Sequence, residues 1–185
     1  MENHPGRTAE YSKTTITELM IPSYANFGGK IHGGILLSLI DKVAYSCASK
    51  HAGNYCVTVS VDRVEFLQPV EVGDLVSLHA SVNYVGKTSL VVGIKVIAEN
   101  VKEGSGKHTN TSYVTMVAKS DENKPTIVPP LILDKPVEVR RFYEAMRRRE
   151  LSKDFNSKMD ETKSSLDHDL AVELLKNQRC YIKID

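Results

Sequence analysis

Residues 35–51 place apolar side chains at Ile35, Leu36, Leu37, Leu39, Ile40, Val43, Ala44, Cys47 and Ala48. On a helix turning about 100° per residue, these positions cover an arc of roughly 220°. A helix lying on one surface needs a much narrower stripe. This one has to be nearly wrapped by protein, which restricts the fold to architectures that enclose a helix.

The rest of the first 120 residues supplies a wrapping. Residues 13–20, KTTITELM, alternate as a strand does and stop before Pro22. After Gly53 and Asn54 the period becomes two. Residues 55–66, 74–86, 88–100 and 107–120 are long and rich in Val, Thr and Ile, as strands are. Their links, QPVEVGD, Gly86-Lys87 and KEGSGK, are short, so the sheet is expected to be antiparallel. One strand, one wrapped helix and four long strands give an α+β sheet rolled around a helix, with a two-layer sandwich of helix on sheet as the alternative.

With 185 residues the chain fits one domain plus an appendage. Residues 1–13 read as a flexible N-terminus, 14–136 as the folded domain, and 137–185 as a helical extension beyond a proline-marked boundary. The extension divides into a basic helix over 137–153 and an amphipathic one over 159–178. A formal charge of +1 gives no global electrostatic case for nucleic acid or a membrane surface. Three scattered cysteines without CxxC argue against a disulfide framework or a metal site, and nothing near the N-terminus reads as a signal peptide. The expected setting is cytoplasmic.

The segment NFGGKIHGG, residues 26–34, puts four glycines just ahead of the helix. The first turn of a helix has unpaired N–H groups and partial positive charge. Without side chains, the amides of Gly33 and Gly34 can lie against a carbonyl, as in an oxyanion hole, with His32 a second donor or a positioning residue. A plain strand-to-helix turn is the alternative. Asp41 is the helix's only carboxylate and stands at the edge of its apolar arc, fit for a general base or nucleophile, or for an ordinary ion pair. It follows Gly34 by seven residues, so it sits about 10 Å further along the axis. At that separation it serves the glycine amides of a second, antiparallel helix more readily than its own. Asn26 supplies a neutral amide able to hold water or a thioester oxygen. GKTS, residues 86–89, lacks the GxxxxG of a triphosphate loop and joins two strands, which leaves a cationic hairpin for a phosphate. Ser38, Ser46, Cys47 and Cys56 have no GxSxG or Cys–His context.

N-x-x-G-x-I-H-G-G, the helix with L-x-D, then SVDRVEFLQPVEVGDLV, GKTS and VPP together resemble the hotdog-fold acyl-CoA thioesterases over roughly residues 14–150. The resemblance implies a curved antiparallel sheet around a long helix, and hydrolysis of acyl-CoA to acid and CoA with neither metal nor cofactor. It implies catalysis by Asn26 of one unit and Asp41 of its partner, with Gly33 and Gly34 as oxyanion donors. It places Gly86, Lys87, Thr88, Ser89 and Arg63 near CoA, in a homodimer that assembles further as a trimer of dimers. A non-catalytic acyl-CoA sensor and a hotdog hydratase are the competing readings.

Overall fold

A computed structural model describes residues 5–62 and 64–184. The chain divides into two compact units, Met1–Ala145 and Met146–Asp185.

The first unit opens with β1 (Arg7–Thr8) and α1 (Ala9–Ser12), where flexible chain was expected. Thr8 caps α1 through its side-chain oxygen, which accepts from the Tyr11 amide at 3.2 Å. β2 (Thr14–Leu19) and a 3-10 turn (Pro22–Tyr24) lead to α2 (Gly33–Ala52). Then come β3 (Tyr55–Val61), β4 (Leu75–Val85), β5 (Ser89–Asn100), β6 (Ser105–Lys119) and β7 (Leu131–Ile132). β1 pairs with β7 in parallel, tying the N-terminal segment to the far end of the unit.

The main sheet runs β2-β4-β5-β6-β3, antiparallel throughout. The short link QPVEVGD does not make β3 and β4 neighbours. Instead β3 crosses to pair with β6 and ends at Val61, short of residue 66. A bulge between Thr58 and Ser60 shifts its register; pairing resumes at Ser60 with Thr115 and Val61 with Val114, and beyond the strand Asp62 N donates to Tyr113 O and Leu67 N to Thr109 O.

α2 packs against all five strands, so the sheet curls around it. This is the α+β arrangement of central helix and curved sheet that the resemblance implied. The helix buries Leu36, Leu39, Ile40, Val43, Ala44, Cys47 and Ala48 against the inward-facing residues of β4 to β6, among them Leu78, Leu90, Ile94 and Met116. Each large aliphatic side chain so buried contributes about 1.5–3 kcal/mol. Gly53, at φ 72°, ends the helix in the left-handed conformation that a side chain would disfavour. One strip of α2 stays outside the core: Leu37 and Tyr45 are exposed on either side of Asp41. Along the open edge, Tyr55, Val59 and Val61 of β3 are also exposed.

Two expected helices of the extension are arranged differently. α3 runs Pro136–Ser164 and α4 runs His168–Leu175, its start capped by Asp167. Residues 154–158, DFNSK, contain neither Pro nor Gly to break a helix. The unit boundary falls inside α3 rather than at the prolines, because its first residues belong to the first unit. There the rings of Phe142 and Tyr84 meet at a tilt with centroids 4.9 Å apart, and Ala145 is buried.

Candidate active site

The glycine segment is a tight hairpin built around Asn26. The Asn26 amide donates to the Lys30 carbonyl at 2.7 Å, and Gly29 N donates back to the Asn26 carbonyl at 3.0 Å. The side-chain oxygen of Asn26 accepts from Gly28 N at 2.9 Å and Lys30 N at 3.2 Å. Two N–H donors identify that atom as the carbonyl oxygen, leaving Nδ2 as a two-proton donor on an exposed side chain. Gly29, at φ 76°, is the position where the turn requires glycine. Ile31 N to Val70 O at 2.9 Å, His32 N to Tyr24 O at 2.8 Å and the Lys30–Glu71 ion pair at 2.7 Å anchor the hairpin to the rest of the unit.

At the start of α2, His32 is the N-cap, and its Nδ1 accepts from the Gly34 amide at 2.9 Å. Ile35 N donates to the His32 carbonyl at 2.9 Å. The expected oxyanion donors are therefore not equivalent. Gly34 is already engaged, and His32 meets it as an acceptor rather than as a donor to substrate. The amide of Gly33 makes no hydrogen bond to another described residue. Beside it, the Phe66 ring lies 3.3 Å from where a Gly33 Cβ would stand, so a side chain there would crowd the ring slightly.

Asp41 has a partner that sequence reasoning missed. Thr58 Oγ1 donates to Asp41 Oδ1 at 2.6 Å, joining the middle of α2 to the edge strand β3. Both side chains are exposed in the single chain. A threonine in a Val- and Thr-rich strand carries no mark of its own. The available signal was its period-two relation to the buried Cys56, which turns Thr58 toward the helix.

The candidate residues fall into two groups. Asn26 and the Gly33 amide lie at the N-terminal end of α2; Asp41 and Thr58 lie about 10 Å along it. The Gly86–Ser89 hairpin falls at the Thr58 end of the sheet: Ser89 pairs with Val117, which pairs with Val57. Its turn is closed by Gly86 N to Ser89 O at 2.7 Å and held by Ala118 N to Thr88 O at 2.9 Å and Val128 N to Lys87 O at 3.0 Å, with Lys87 exposed. Arg63, expected near CoA, lies outside the described residues. Among the described residues no cluster of three His, Cys, Asp or Glu could hold a metal ion. Cys47 and Cys56 are buried in the core, and burial pushes the Cys47 thiol up to about 12, far from a reactive thiolate.

A sequence model of the Thioesterase superfamily matches residues 28–105. Protein VdlD of Helicobacter pylori is 45% identical over 144 residues, 78% of this chain and 82% of that protein. YkhA of Bacillus subtilis, described as an uncharacterized acyl-CoA thioester hydrolase, is 34% identical over 148 residues, covering 80% and 86%. Among solved structures, an apo-hexameric acyl-CoA thioesterase superposes with a TM-score of 0.79 at 35% identity, over 82% of this chain and 97% of that one. An acyl-CoA hydrolase of Staphylococcus aureus in complex with butyryl coenzyme A, coenzyme A and coenzyme A disulfide superposes with a TM-score of 0.78 at 32% identity, over 86% and 98%. That enzyme was also solved with alanine in place of an asparagine, an aspartate or a threonine, positions 15 and 17 apart along its chain. Asn26, Asp41 and Thr58 have the same two spacings.

Proposed function

Since the chain belongs to the thioesterase superfamily, among the hotdog acyl-CoA hydrolases, we propose that it hydrolyses acyl-CoA to a free carboxylic acid and CoA at a site shared by two copies. The observation that carries this reading is the separation of the two groups on one helix, together with an exposed strip that runs through Asp41. Leu37 and Tyr45 on α2 and Tyr55, Val59 and Val61 on β3 leave an apolar face beside an unpaired sheet edge. Such an edge is a template for another strand. A second copy joined there, edge to edge and with α2 antiparallel, brings Asp41 of one chain toward Asn26 and Gly33 of the other. The hexameric neighbour supports further assembly of such dimers into a trimer of dimers.

The chemistry follows from what each group can do. Asn26 Nδ2 and the Gly33 amide donate to the thioester oxygen and to the oxyanion that forms from it. Gly34 adds a third donor wherever His32 releases it. Thr58 holds Asp41 Oδ1, leaving Oδ2 to take a proton from the attacking water. The water oxygen bonds to the acyl carbon, the tetrahedral intermediate collapses with loss of the C–S bond, and the proton on Asp41 passes to the departing thiolate. No metal or cofactor enters this scheme. Lys87, with Thr88 and Ser89, forms the cationic hairpin for a CoA phosphate, and Arg63 is a further candidate for that role. We place the enzyme in the cytoplasm.

Thiol release from a panel of acyl-CoAs, acetyl to palmitoyl, tests the reaction. Turnover of at least one chain length, falling about 100-fold or more in Asp41→Asn with the assembly intact, is the expected result. Near-normal turnover in that variant would discard the mechanism. Tight acyl-CoA binding with no thiol released would instead mark a sensor.

A further inference from the structure

On the sheet face turned away from α2 there is a cavity of about 600 Å³. Its floor comes from the outward residues of three strands: Ser81 and Asn83 on β4, Gly93 and Lys95 on β5, Thr111 and Tyr113 on β6. Its rim comes from α1 and from the first turns of α3, all within the first unit. None of its lining residues belongs to the Asn26 or Asp41 group. Its volume lies within the roughly 300–1,000 Å³ usual for small-molecule sites.

Two observations give the cavity a chemistry. Gly93 sits in the interior of a strand, where glycine weakens pairing and often marks the close approach of another group. A Cβ there would stand 2.2 Å from Asn83 Nδ2, so the glycine exists in effect to admit the Asn83 carboxamide into the floor. Asn83 is 6% exposed. Its Oδ1 accepts from Ser81 Oγ at 3.2 Å, whereas its Nδ2 has no acceptor among the described residues. That leaves Nδ2 as a donor for a group bound in the cavity that Asn83 lines.

The second observation is charge. Three carboxylates line the cavity, and each has its own cation: Glu10 with Lys13 at 3.4 Å, Glu138 with Lys135 at 4.0 Å, Glu144 with Arg140 at 3.0 Å. Glu138 Oε2 also accepts from the Asp134 amide at 3.1 Å. Lys95 and Arg141 remain, with no carboxylate partner among the described residues. Two unmatched cations around a concave polar floor favour an anion, and the guanidinium fork fits phosphate oxygens in pairs.

We propose that this cavity is a second ligand site, taking an organic phosphate of nucleotide size, with Lys95 and Arg141 on the phosphate and Asn83 Nδ2 donating to a carbonyl or ring nitrogen. The phosphate can come from a free nucleotide or from the adenosine-diphosphate portion of CoA itself. The proposal does not depend on the hydrolytic reading, because its test reads binding.

ADP and CoA are titrated separately by calorimetry into the full chain and into a Lys95→Gln/Arg141→Gln variant whose melting temperature matches the original. ADP is expected to saturate below about 1 mM and to bind about tenfold more weakly, or less tightly still, in the variant. If CoA is the source, its stoichiometry falls by one site per chain in the variant; if a free nucleotide is, CoA binding stays unchanged while ADP binding is lost. Should the double variant fail to fold, Asn83→Ser in the otherwise original chain carries the same expectation for ADP and CoA. Binding of both ligands that is indifferent to these substitutions, or no ADP or second-site CoA binding at about 1 mM, would overturn the proposal.

Discussion

Thr58 on the edge strand β3 holds the carboxylate of Asp41 on α2 through a hydrogen bond of 2.6 Å from its hydroxyl. The bond links the exposed strip of the central helix to β3, one of the two edge strands of the sheet. Hydroxyl to carboxylate is a charge-assisted contact, stronger than a neutral one, and it fixes which oxygen of Asp41 remains free.

Replacement of Thr58 by Val removes the hydroxyl and nearly preserves the shape. Turnover should fall about 10–100-fold with little change in KM, since the lost contact orients the base rather than holding the substrate. The melting temperature should stay within about 2 °C, because both side chains are exposed in the single chain. A rise in KM alone would place Thr58 in binding and not in orientation.

The β3 edge gives a separate expectation. Val59 is 61% exposed in the single chain and lies next to the Thr58 bulge. Val59→Asp puts a charge on that edge at small cost to the isolated fold. The variant should run as a monomer in sedimentation, keep its circular dichroism and lose thiol release. A monomer that still hydrolyses acyl-CoA would show that one chain suffices.

Stability should depend on pH through His51. The side chain is fully buried at the C-terminal end of α2, where Nε2 donates to the Pro129 carbonyl at 3.2 Å and Nδ1 meets Ser12 Oγ at 3.3 Å. Arg7 adds a positive charge nearby, its guanidinium donating to the His51 carbonyl at 2.7 Å; Lys50 adjoins it on the same helix, and the thiol of Cys47 lies one turn back. Burial above all, and Arg7 with it, holds the imidazole below its ordinary value of 6.5, against the opposing pull of the Pro129 carbonyl. The folded chain therefore keeps His51 neutral while the unfolded chain takes up a proton as the pH drops through 6.5. The stabilisation is complete above that value and declines below it, until the lowered pKa of the folded state is reached. Urea midpoints measured at pH 7.5 and 5.5 should separate more widely for the original chain than for His51→Gln. Equal separations would remove His51 from the account.

Packing around α2 is tested by Ile40→Ala. Ile40 is 1% exposed at the centre of the core, and its truncation should cost about 2–5 kcal/mol in chemical denaturation. A loss under about 1 kcal/mol would mean that the sheet does not close around the helix as described.

The central helix was legible because nine apolar residues on one wide arc leave few options, and even there Leu37 escaped the wrapping. Asn26 and Asp41 stood out as polar groups in apolar or glycine-rich settings. The crossing of β3 to β6 was not legible, since pairing between strands distant in sequence leaves no local pattern. His32 as a cap was hidden for another reason: helices usually take Ser, Thr, Asp or Asn there, and a histidine followed by two glycines reads as chemistry before it reads as structure. The parallel pair β1–β7 rests on two residues in each strand, too few for any periodicity.

Whether Asn26 and Asp41 work together across two chains is decided by mixing inactive variants. Asn26→Ala and Asp41→Asn chains, unfolded and refolded together in equal amounts, form mixed dimers in which one of the two sites is intact. Random pairing then restores about a quarter of the original thiol release per chain, while each variant refolded alone stays near zero. A mixture no more active than either variant alone, with mixed dimers confirmed by mass spectrometry, would place both groups in the same chain's site and contradict the account.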